Sequence, residues 1–246
     1  MRYRITSALL IAFTFFLAHR DAFAIRPFVT DDARVVGDRL AQLETWLVGN
    51  RHEIVHNVLG AVGPTNWLEV TTGFAQGGAY DSVEGGYSIT GPLFQLKVLA
   101  HEAKPGTWPG VAFAVGTVPP LGHGSFTPQG VGLFGYMAIT ESLLNENLLL
   151  HANIGIATLN DETQWLSTAT SGFGFQARVT GGLHAVAEIY HGDPYDPLLR
   201  AGASQIGFRY IVDDSVQFDG TVGSTLSGTS EQWWTVGVRV VSDPLW

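Results

Sequence analysis

Few residues carry catalytic chemistry, and they do not form a familiar catalytic pattern. Ser142, His151 and Asn153 lie close in sequence and offer the hydroxyl, imidazole and amide groups of a nucleophilic triad. The strand pattern described below turns His151 and Asn153 inward, whereas a triad that cleaves lipid needs the outer face. The sequence contains no G-x-S-x-G elbow, no H-E-x-x-H pair and no P-loop. We therefore expect no enzymatic activity.

Candidate metal ligands are scattered as well. The eight histidines occur singly, and two acidic segments, 161–162 and 192–199, offer oxygen atoms that Ca²⁺ could use. A lone histidine is more often structural, and acidic loops are more often simply hydrated. The absence of cysteine excludes disulfides, thiolate metal sites and cysteine nucleophiles. We expect no metal and no cofactor.

The composition narrows the class of protein. Glycine accounts for 30 of 246 residues and charged residues for 14%, against typical values of about 7% and about 25%. Abundant glycine and few charges do not suit a coiled coil or a disordered chain, but they suit a β protein. The net charge is −9, and the two lysines are Lys97 and Lys104. A chain this acidic and poor in lysine has no basic surface for nucleic acid.

The first 24 residues have the pattern of a signal peptide. Arg2 and Arg4 precede the apolar run 7–18, and Ala22-Phe23-Ala24 forms an A-x-A cleavage site. The apolar run is shorter than the ~20 residues of a membrane-spanning helix, although an N-terminal membrane anchor is the alternative interpretation. The sequence predicts that residues 1–24 are removed and that the mature chain begins at Ile25.

Alternation of apolar and polar residues with a period of two recurs along the mature chain, and helical spacing does not. Leu148 to Ile156 and Val216 to Val222 are clear examples. Turn signals separate the alternating runs. The pattern predicts twelve strands near residues 39–50, 53–62, 67–77, 87–101, 110–118, 130–142, 147–157, 168–179, 182–191, 200–212, 215–225 and 232–242.

The strand number and the connections favour a transmembrane β-barrel. Twelve is even, and tight turns such as 63–66 and 213–214 alternate with longer loops such as 119–129 and 192–199. A secreted, water-soluble β-sandwich or barrel is the alternative, but its polar face should be rich in Lys, Glu and Asp. Gly, Ala, Thr, Ser, Gln and Asn dominate here. We predict an up-and-down antiparallel barrel over residues 39–246, preceded by a periplasmic or lumenal segment over residues 25–38.

The alternation also assigns a belt of charged and histidine side chains to the lumen, in its periplasmic half. Neighbouring strands alternate in the sign of these charges, which favours pairing in a narrow, poorly hydrated lumen. The belt either fills and rigidifies the barrel or forms a constriction that sets selectivity. Its members are Glu44, Glu69, Lys97, His101, His151, Arg178, His184, Glu188, Arg209, Asp219 and Arg239.

The segment before the first strand mixes apolar and charged residues, namely Phe28, Asp31, Asp32 and Arg34. It is either a disordered periplasmic tail or a hatch folded into the lumen. As a hatch, Asp31 or Asp32 would meet an arginine of the belt (Arg178, Arg209 or Arg239).

The C-terminal strand carries a further signal. Val236, Val238 and Val240 alternate, and the chain ends at Trp246, which partly matches the C-terminal recognition signal of outer-membrane proteins. Tryptophans near the predicted strand ends are typical of an interfacial aromatic belt. We therefore expect contact with outer-membrane lipid, and insertion by a barrel-insertion machinery that reads this strand.

The beginning of the mature chain resembles a known family. The run RPFVTDDARVVG at 26–37, the residues Leu40 to Trp46, and WLEV at 67–70 after a Gly-Pro-Thr-Asn turn are similar to the outer-membrane proteins of the MetA pathway of phenol degradation family. This resemblance implies a channel for small hydrophobic, often aromatic, compounds, and it implies no catalytic residues.

These observations predict a porin-like channel in the outer membrane of a Gram-negative bacterium, through which small solutes pass passively. The alternative is a barrel that transports nothing and serves as a scaffold or as a subunit of a larger envelope complex. A continuous lumen favours transport, whereas a fully packed lumen favours the structural role.

Overall fold

A computed structural model describes residues 28–80, 86–160, 163–196 and 198–246. The predicted signal peptide and residues 25–27 lie outside these ranges. Within them no helix has the length and the apolar character that crossing a membrane requires.

The described residues form one closed antiparallel barrel of twelve long strands. Each strand pairs with its neighbours in sequence, and β1 pairs with β13 to close the ring. A two-residue strand, β6, lies in the connection between β5 and β7 and pairs with β4. The strands are β1 (Ala41–Asn50), β2 (Glu53–Thr65), β3 (Leu68–Ala79), β4 (Ser88–His101), β5 (Gly110–Val118), β6 (Gly122–His123), β7 (Val131–Leu143), β8 (Leu148–Asn160), β9 (Trp165–Thr180), β10 (Leu183–His191), β11 (Gly202–Ile211), β12 (Val216–Thr225) and β13 (Gln232–Val241).

The predicted strands are confirmed, and every boundary falls within three residues of its predicted position. The sequence pattern missed β6, because two residues are too few to display a period. The loop before β9 is shorter than predicted, since Trp165 already pairs with Asn160 of β8.

The two faces of the barrel wall are opposite in character. Outward-facing side chains are apolar and exposed, as at Ile154 and Ile206, each 61% exposed. Inward-facing side chains include many polar and charged groups that are buried, such as Gln176 and Thr221. This is the reverse of a water-soluble barrel, in which the apolar face is the buried one.

The barrel has two unlike ends. We call the end that carries the start of β1, the end of β13 and the turns at 66–67, 102–109, 144–147, 181–182 and 212–215 the terminal end. We call the other the loop end; its connections include 119–130 and 192–201. The β1–β2 turn at 51–52 is the short connection of the loop end.

At some inward-facing positions the side chain is small because neighbouring groups occupy the space around it. Ala112 of β5 and Ala138 of β7 are directly paired and have no exposed surface. An alanine side chain at such a site fills the space that neighbouring groups leave, so a larger side chain must displace them.

We therefore expect Ala138→Leu to lower the free energy of unfolding by about 1–3 kcal/mol through overpacking. Urea titration of the folded protein in detergent micelles measures this change. Met137→Leu is the matched control, because Met137 faces outward on the same strand and a volume-conserving exchange costs less than about 1.5 kcal/mol. Equal losses for the two variants would contradict this account of the lumen.

Candidate functional site

The N-terminal segment lies inside the barrel and forms what we call the plug, residues 28–37. Its residues from Thr30 to Val36 are buried. The plug has no regular secondary structure, so its backbone amides need partners from the wall. Side chains of the wall provide these partners. The Glu188 carboxylate accepts hydrogen bonds from Val29 N at 2.9 Å and Thr30 N at 2.7 Å. Asn153 accepts from Asp31 N at 2.5 Å, Thr140 accepts from Ala33 N at 2.8 Å, and Glu69 accepts from Val36 N at 2.9 Å.

Ion pairs join the plug to the wall. Lys97 Nζ of β4 lies 2.8 Å from the Asp31 carboxylate and 4.0 Å from that of Asp32. Asp32 also pairs with Arg34 at 2.8 Å within the plug. Lys97 has no exposed surface, and a desolvated lysine is stable only with close acidic partners. The plug thus supplies carboxylates that this wall lysine requires.

The wall itself carries a second group of charged residues, with one ion pair between Arg239 and Glu44. Arg239 Nε lies 3.8 Å from Glu44 Oε1 and donates to Gln42 at 2.6 Å. Arg209 donates to Gln176 at 2.5 Å, and its guanidinium lies 5.8 Å from the centre of the Phe28 ring. The strand register places Arg209 opposite Asp219 and Glu44 opposite Arg239, as the alternating signs of the predicted belt require.

The structure brings together nine of the eleven predicted belt residues. These are buried in the barrel: Glu44, Glu69, Lys97, His151, His184, Glu188, Arg209, Asp219 and Arg239. His101 and Arg178 lie exposed at the terminal end, which corrects their predicted position in the lumen. Both lie near the end of their strands, beyond the packed interior. His101 also follows a register shift after Leu99.

The plug residues Phe28, Asp31, Asp32 and Arg34 are all buried, in agreement with the hatch hypothesis. The predicted ion pair with a belt arginine is absent among the described residues: Asp31 pairs with Lys97, and Asp32 pairs with Arg34 and attracts Arg209 and Arg239 only at longer range. The entry point explains the difference. Arg39 N donates to Gly63 O at 2.7 Å, so the chain enters beside the β2–β3 turn and reaches the wall that carries Lys97.

Two tyrosines of the site, Tyr136 and Tyr195, were not predicted. Tyr136 donates to Asp31 at 2.7 Å, and Tyr195 donates to Gln95 at 2.9 Å. Tyr195 belongs to the 192–201 loop, which folds inward so that its ring packs edge-on against Phe134, with centroids 5.0 Å apart. The inward face of Tyr136 could be found from alternation, but no periodic signal reveals the direction of a loop.

The space inside the barrel is unevenly divided. Between the plug and strands β1–β4 lies a void of about 20 Å³, which is about the space of a single water molecule. Above the plug, toward the loop end, lies a cavity of about 660 Å³ that we call the vestibule. Plug residues Phe28 and Val29 line its floor, and Trp46, Tyr190 and Trp233 line its walls.

The acidic loop at the vestibule mouth is used for its own folding. Asp193 accepts from Tyr195 N at 2.8 Å and Asp196 accepts from Leu198 N at 3.0 Å. Burial, together with the nearby Asp193 carboxylate, raises the pKa of Asp196 above its ordinary value. Across the part of the chain that the structure describes, no three His, Cys, Asp or Glu residues could jointly hold a metal ion. The acidic pair 161–162 lies outside that part.

Two of the three residues considered as a triad, His151 and Asn153, make other hydrogen bonds. Thr140 bonds His151 at 3.0 Å, and Asn153 donates to the backbone oxygen of Asp31 at 2.8 Å. Ser142 Oγ is buried and has no hydrogen-bond partner among the described residues. The imidazole and amide of this group therefore hold the plug region and do not orient a nucleophile.

A family model described as Uncharacterised conserved protein UCP029691 matches residues 12–241. The chain belongs to this family. No curated protein matches the chain.

Solved structures show a similar fold. The KdgM porin in complex with disordered oligogalacturonate is 8% identical with a TM-score of 0.58, and the match covers 81% of this chain and 98% of KdgM. An outer membrane channel from Pseudomonas putida F1 is 8% identical with a TM-score of 0.58, covering 82% of this chain and 94% of that one. The NanC porin is 8% identical with a TM-score of 0.54, covering 81% and 98%. The fold is thus that of outer-membrane barrel porins.

The Lys97–Asp31 pair generates a prediction about stability. We expect Lys97→Met to destabilise the protein by about 3–5 kcal/mol, because it leaves buried carboxylates without their cation. Urea unfolding in micelles measures the loss, and trypsin cleavage after Arg34 reports whether the plug has left the lumen.

The double variant Lys97→Met/Asp31→Asn removes both charges of the closest pair and should recover part of the lost stability. If the double variant were less stable than Lys97→Met, the two groups would not act as a pair.

Proposed function

We propose that this chain is an outer-membrane channel that admits small, uncharged hydrophobic or aromatic solutes into the vestibule from the cell exterior. The vestibule is the observation that carries the proposal. A cavity of about 660 Å³, with Phe28, Trp46 and Trp233 among its lining residues, is in the size range of pockets that bind small molecules, roughly 300–1,000 Å³. The resemblance of residues 26–46 to the MetA pathway of phenol degradation family supports the same solute class.

The exposed apolar outer face supports location in a membrane. Residues such as Ile206, Phe208 and Val222 are about 60% exposed, and exposing an apolar band of this extent to water would be unfavourable. In the proposed arrangement residues 1–24 are removed as a signal peptide, and a barrel-insertion machinery reads the C-terminal strand. The terminal end faces the periplasm, because the short turns of bacterial barrels lie on that side.

The charge of the vestibule lining narrows the solute class. Glu53, Asp193, Asp196 and Glu231 line it, and among the described lining residues there is no Lys, Arg or His. An anionic solute would lose hydration on entry and find no cation to pair with. A neutral aromatic solute would instead bury its surface against the rings.

A barrel without transport is the second candidate, and the plug favours it. The terminal half contains buried ion pairs and a void of only about 20 Å³. The channel and the structural barrel differ in whether the plug moves. For ions to cross the whole barrel the plug must leave or shift, as a gate does, whereas in a structural core it must not.

Single-channel recording in planar bilayers tests the gate. We expect the intact chain to show rare openings and the variant that lacks residues 26–37 to conduct continuously, because the deletion removes the groups that fill the terminal half. Unchanged conductance after the deletion would support the structural barrel.

Glu188→Gln is a milder version of the same test. The substitution weakens the acceptor that holds the Val29 and Thr30 amides, so openings should become more frequent. Glu231→Gln is the matched control, since Glu231 lines the vestibule mouth and lies outside the plug contacts described above. If both variants opened equally often, a general loss of negative charge would explain the effect.

Solutes that share a ring and differ in charge test the solute class. Benzyl alcohol added on the loop side should enter and interrupt the current of the plug-deleted channel, whereas benzoate should not, because the vestibule offers it only carboxylates. Glu231→Lys should increase the interruptions by benzoate. Equal interruption by both solutes in the unsubstituted vestibule would contradict the proposed selectivity.

A further inference from the structure

The vestibule reaches the barrel wall at an irregular point between β3 and β4. Of the described strand residues that line the vestibule, Phe74 is the one whose side chain is on the outward-facing side of the wall. It is 38% exposed there, and Gly91 lines the cavity beside it. The interior cavity and the outer surface are therefore separated at this point by little more than one side chain.

The hydrogen-bond ladder is interrupted at the same point. Gly73 pairs with Leu93 and Ala75 pairs with Thr90, so Phe74 faces two residues of β4, Gly91 and Pro92. Pro92 has no N–H, and the Gly91 amide donates to Leu121 O at 3.2 Å on the opposite side. Hence β4 offers Phe74 no backbone hydrogen-bond donor. We call this interruption, formed by Phe74, Gly91 and Pro92, the seam.

Glycine keeps the seam thin. Gly73 and Gly91 flank Phe74 without side chains, and a Cβ atom on Gly91 would lie 2.9 Å from the Phe74 Cβ and 3.0 Å from the Gly73 carbonyl oxygen. The Gly91 φ of +126° is also one that side-chain-bearing residues rarely adopt. A bulge with glycine in a strand often redirects or ends pairing beside a functional site.

The strand on the loop-end side of the seam is held by a short partner. Residues Ile89 and Thr90 of β4 pair with His123 and Gly122 of β6, whereas β5 pairs with β4 only from Phe94 onward. On that side this part of β4 has two residue pairs with β6, the hydrogen bond from Gly91 N to Leu121 O, and hydrogen bonds between Ser88 and Ser125 at 3.0 Å, in place of a full barrel strand.

The direct route through the barrel is unfavourable for an apolar solute. It crosses the plug, where Lys97, Asp31 and Asp32 are buried and paired, and separating these groups costs several kcal/mol. Outside the seam, Val58 lies opposite Phe74 and the exposed Phe94 follows on β4. The side chains at the seam and directly outside it are therefore apolar.

We propose that apolar solutes leave the vestibule sideways through the seam at Phe74, Gly91 and Pro92 into the membrane interior, while the plug stays closed. This proposal rests on the proposed admission of apolar solutes into the vestibule and names their exit, whereas movement of the plug governs the passage of ions through the whole barrel. In this exit the Phe74 side chain rotates away from the opening, and the β4 segment 88–92 moves with it.

A reversible staple tests the exit. The chain has no cysteine, so the variant Ala75→Cys/Thr90→Cys introduces one disulfide across a directly opposed pair beside the seam. The matched control is Ala203→Cys/Thr225→Cys, an opposed pair on the far wall of the same vestibule. Free-thiol labelling reports the closure of each staple, and a reductant reopens it in the same folded protein.

The probe is 1-N-phenylnaphthylamine, an apolar dye that an intact lipopolysaccharide layer excludes and that fluoresces inside lipid. Cells producing the unsubstituted chain should take it up faster than cells without the protein. Oxidising the seam staple should reduce the rate to that of cells without the protein, reduction should restore it, and the far-wall staple should have no effect.

Two results overturn the exit separately from the channel. If uptake is unaffected by the oxidised seam staple, or is slowed equally by the far-wall staple, solutes do not leave through the seam, although the channel stands. If the unsubstituted chain adds no uptake, the channel function fails and the exit fails with it.

Discussion

Closure of the sheet between β1 and β13 is the constraint on which the rest of this structure depends. A closed antiparallel barrel leaves no free strand edge, so the backbone ladders are satisfied within the wall except at the seam. It also gives the chain an enclosed interior that cannot hold unpaired charges. Arg239 and Glu44 meet across the closing pair of strands itself. The charge pairing of the interior and the continuity of the wall are thus consequences of the same register.

The interior is divided according to polarity. Toward the terminal end, charged wall residues and the plug satisfy one another through ion pairs and hydrogen bonds to backbone amides. Toward the loop end, aromatic side chains line an unfilled vestibule. The boundary runs through the plug, whose Asp31 binds Lys97 below while its Phe28 forms the vestibule floor. A ten-residue segment thereby separates a core of paired charges from a vestibule lined by aromatic side chains and by four carboxylates.

The plug and the seam differ in the number of hydrogen bonds that hold them in place. Glu188, Asn153, Thr140 and Glu69 each accept from a plug amide, so the terminal half has many simultaneous contacts and resists partial opening. The seam lacks donors opposite Phe74 and is braced by the two-residue β6. Local opening is favoured where hydrogen bonds are missing, so the proposed exit places the weaker barrier for apolar solutes at the seam and not at the plug.

The amino-acid sequence by itself determined the twelve strands, the inward faces of Glu69, Lys97 and Arg209, and the apolar outer surface. These follow from a period of two, which is local and repeats along the chain. It also indicated that residues 28–34 combine apolar and charged groups suited to a lumen. Only the tertiary structure decided that Asp31 meets Lys97, that Tyr195 turns inward to Gln95, and that Phe74 faces a bulge. Those contacts join non-periodic segments across the lumen or depend on a one-residue irregularity, and the geometry of the closed barrel, not local spacing, sets them.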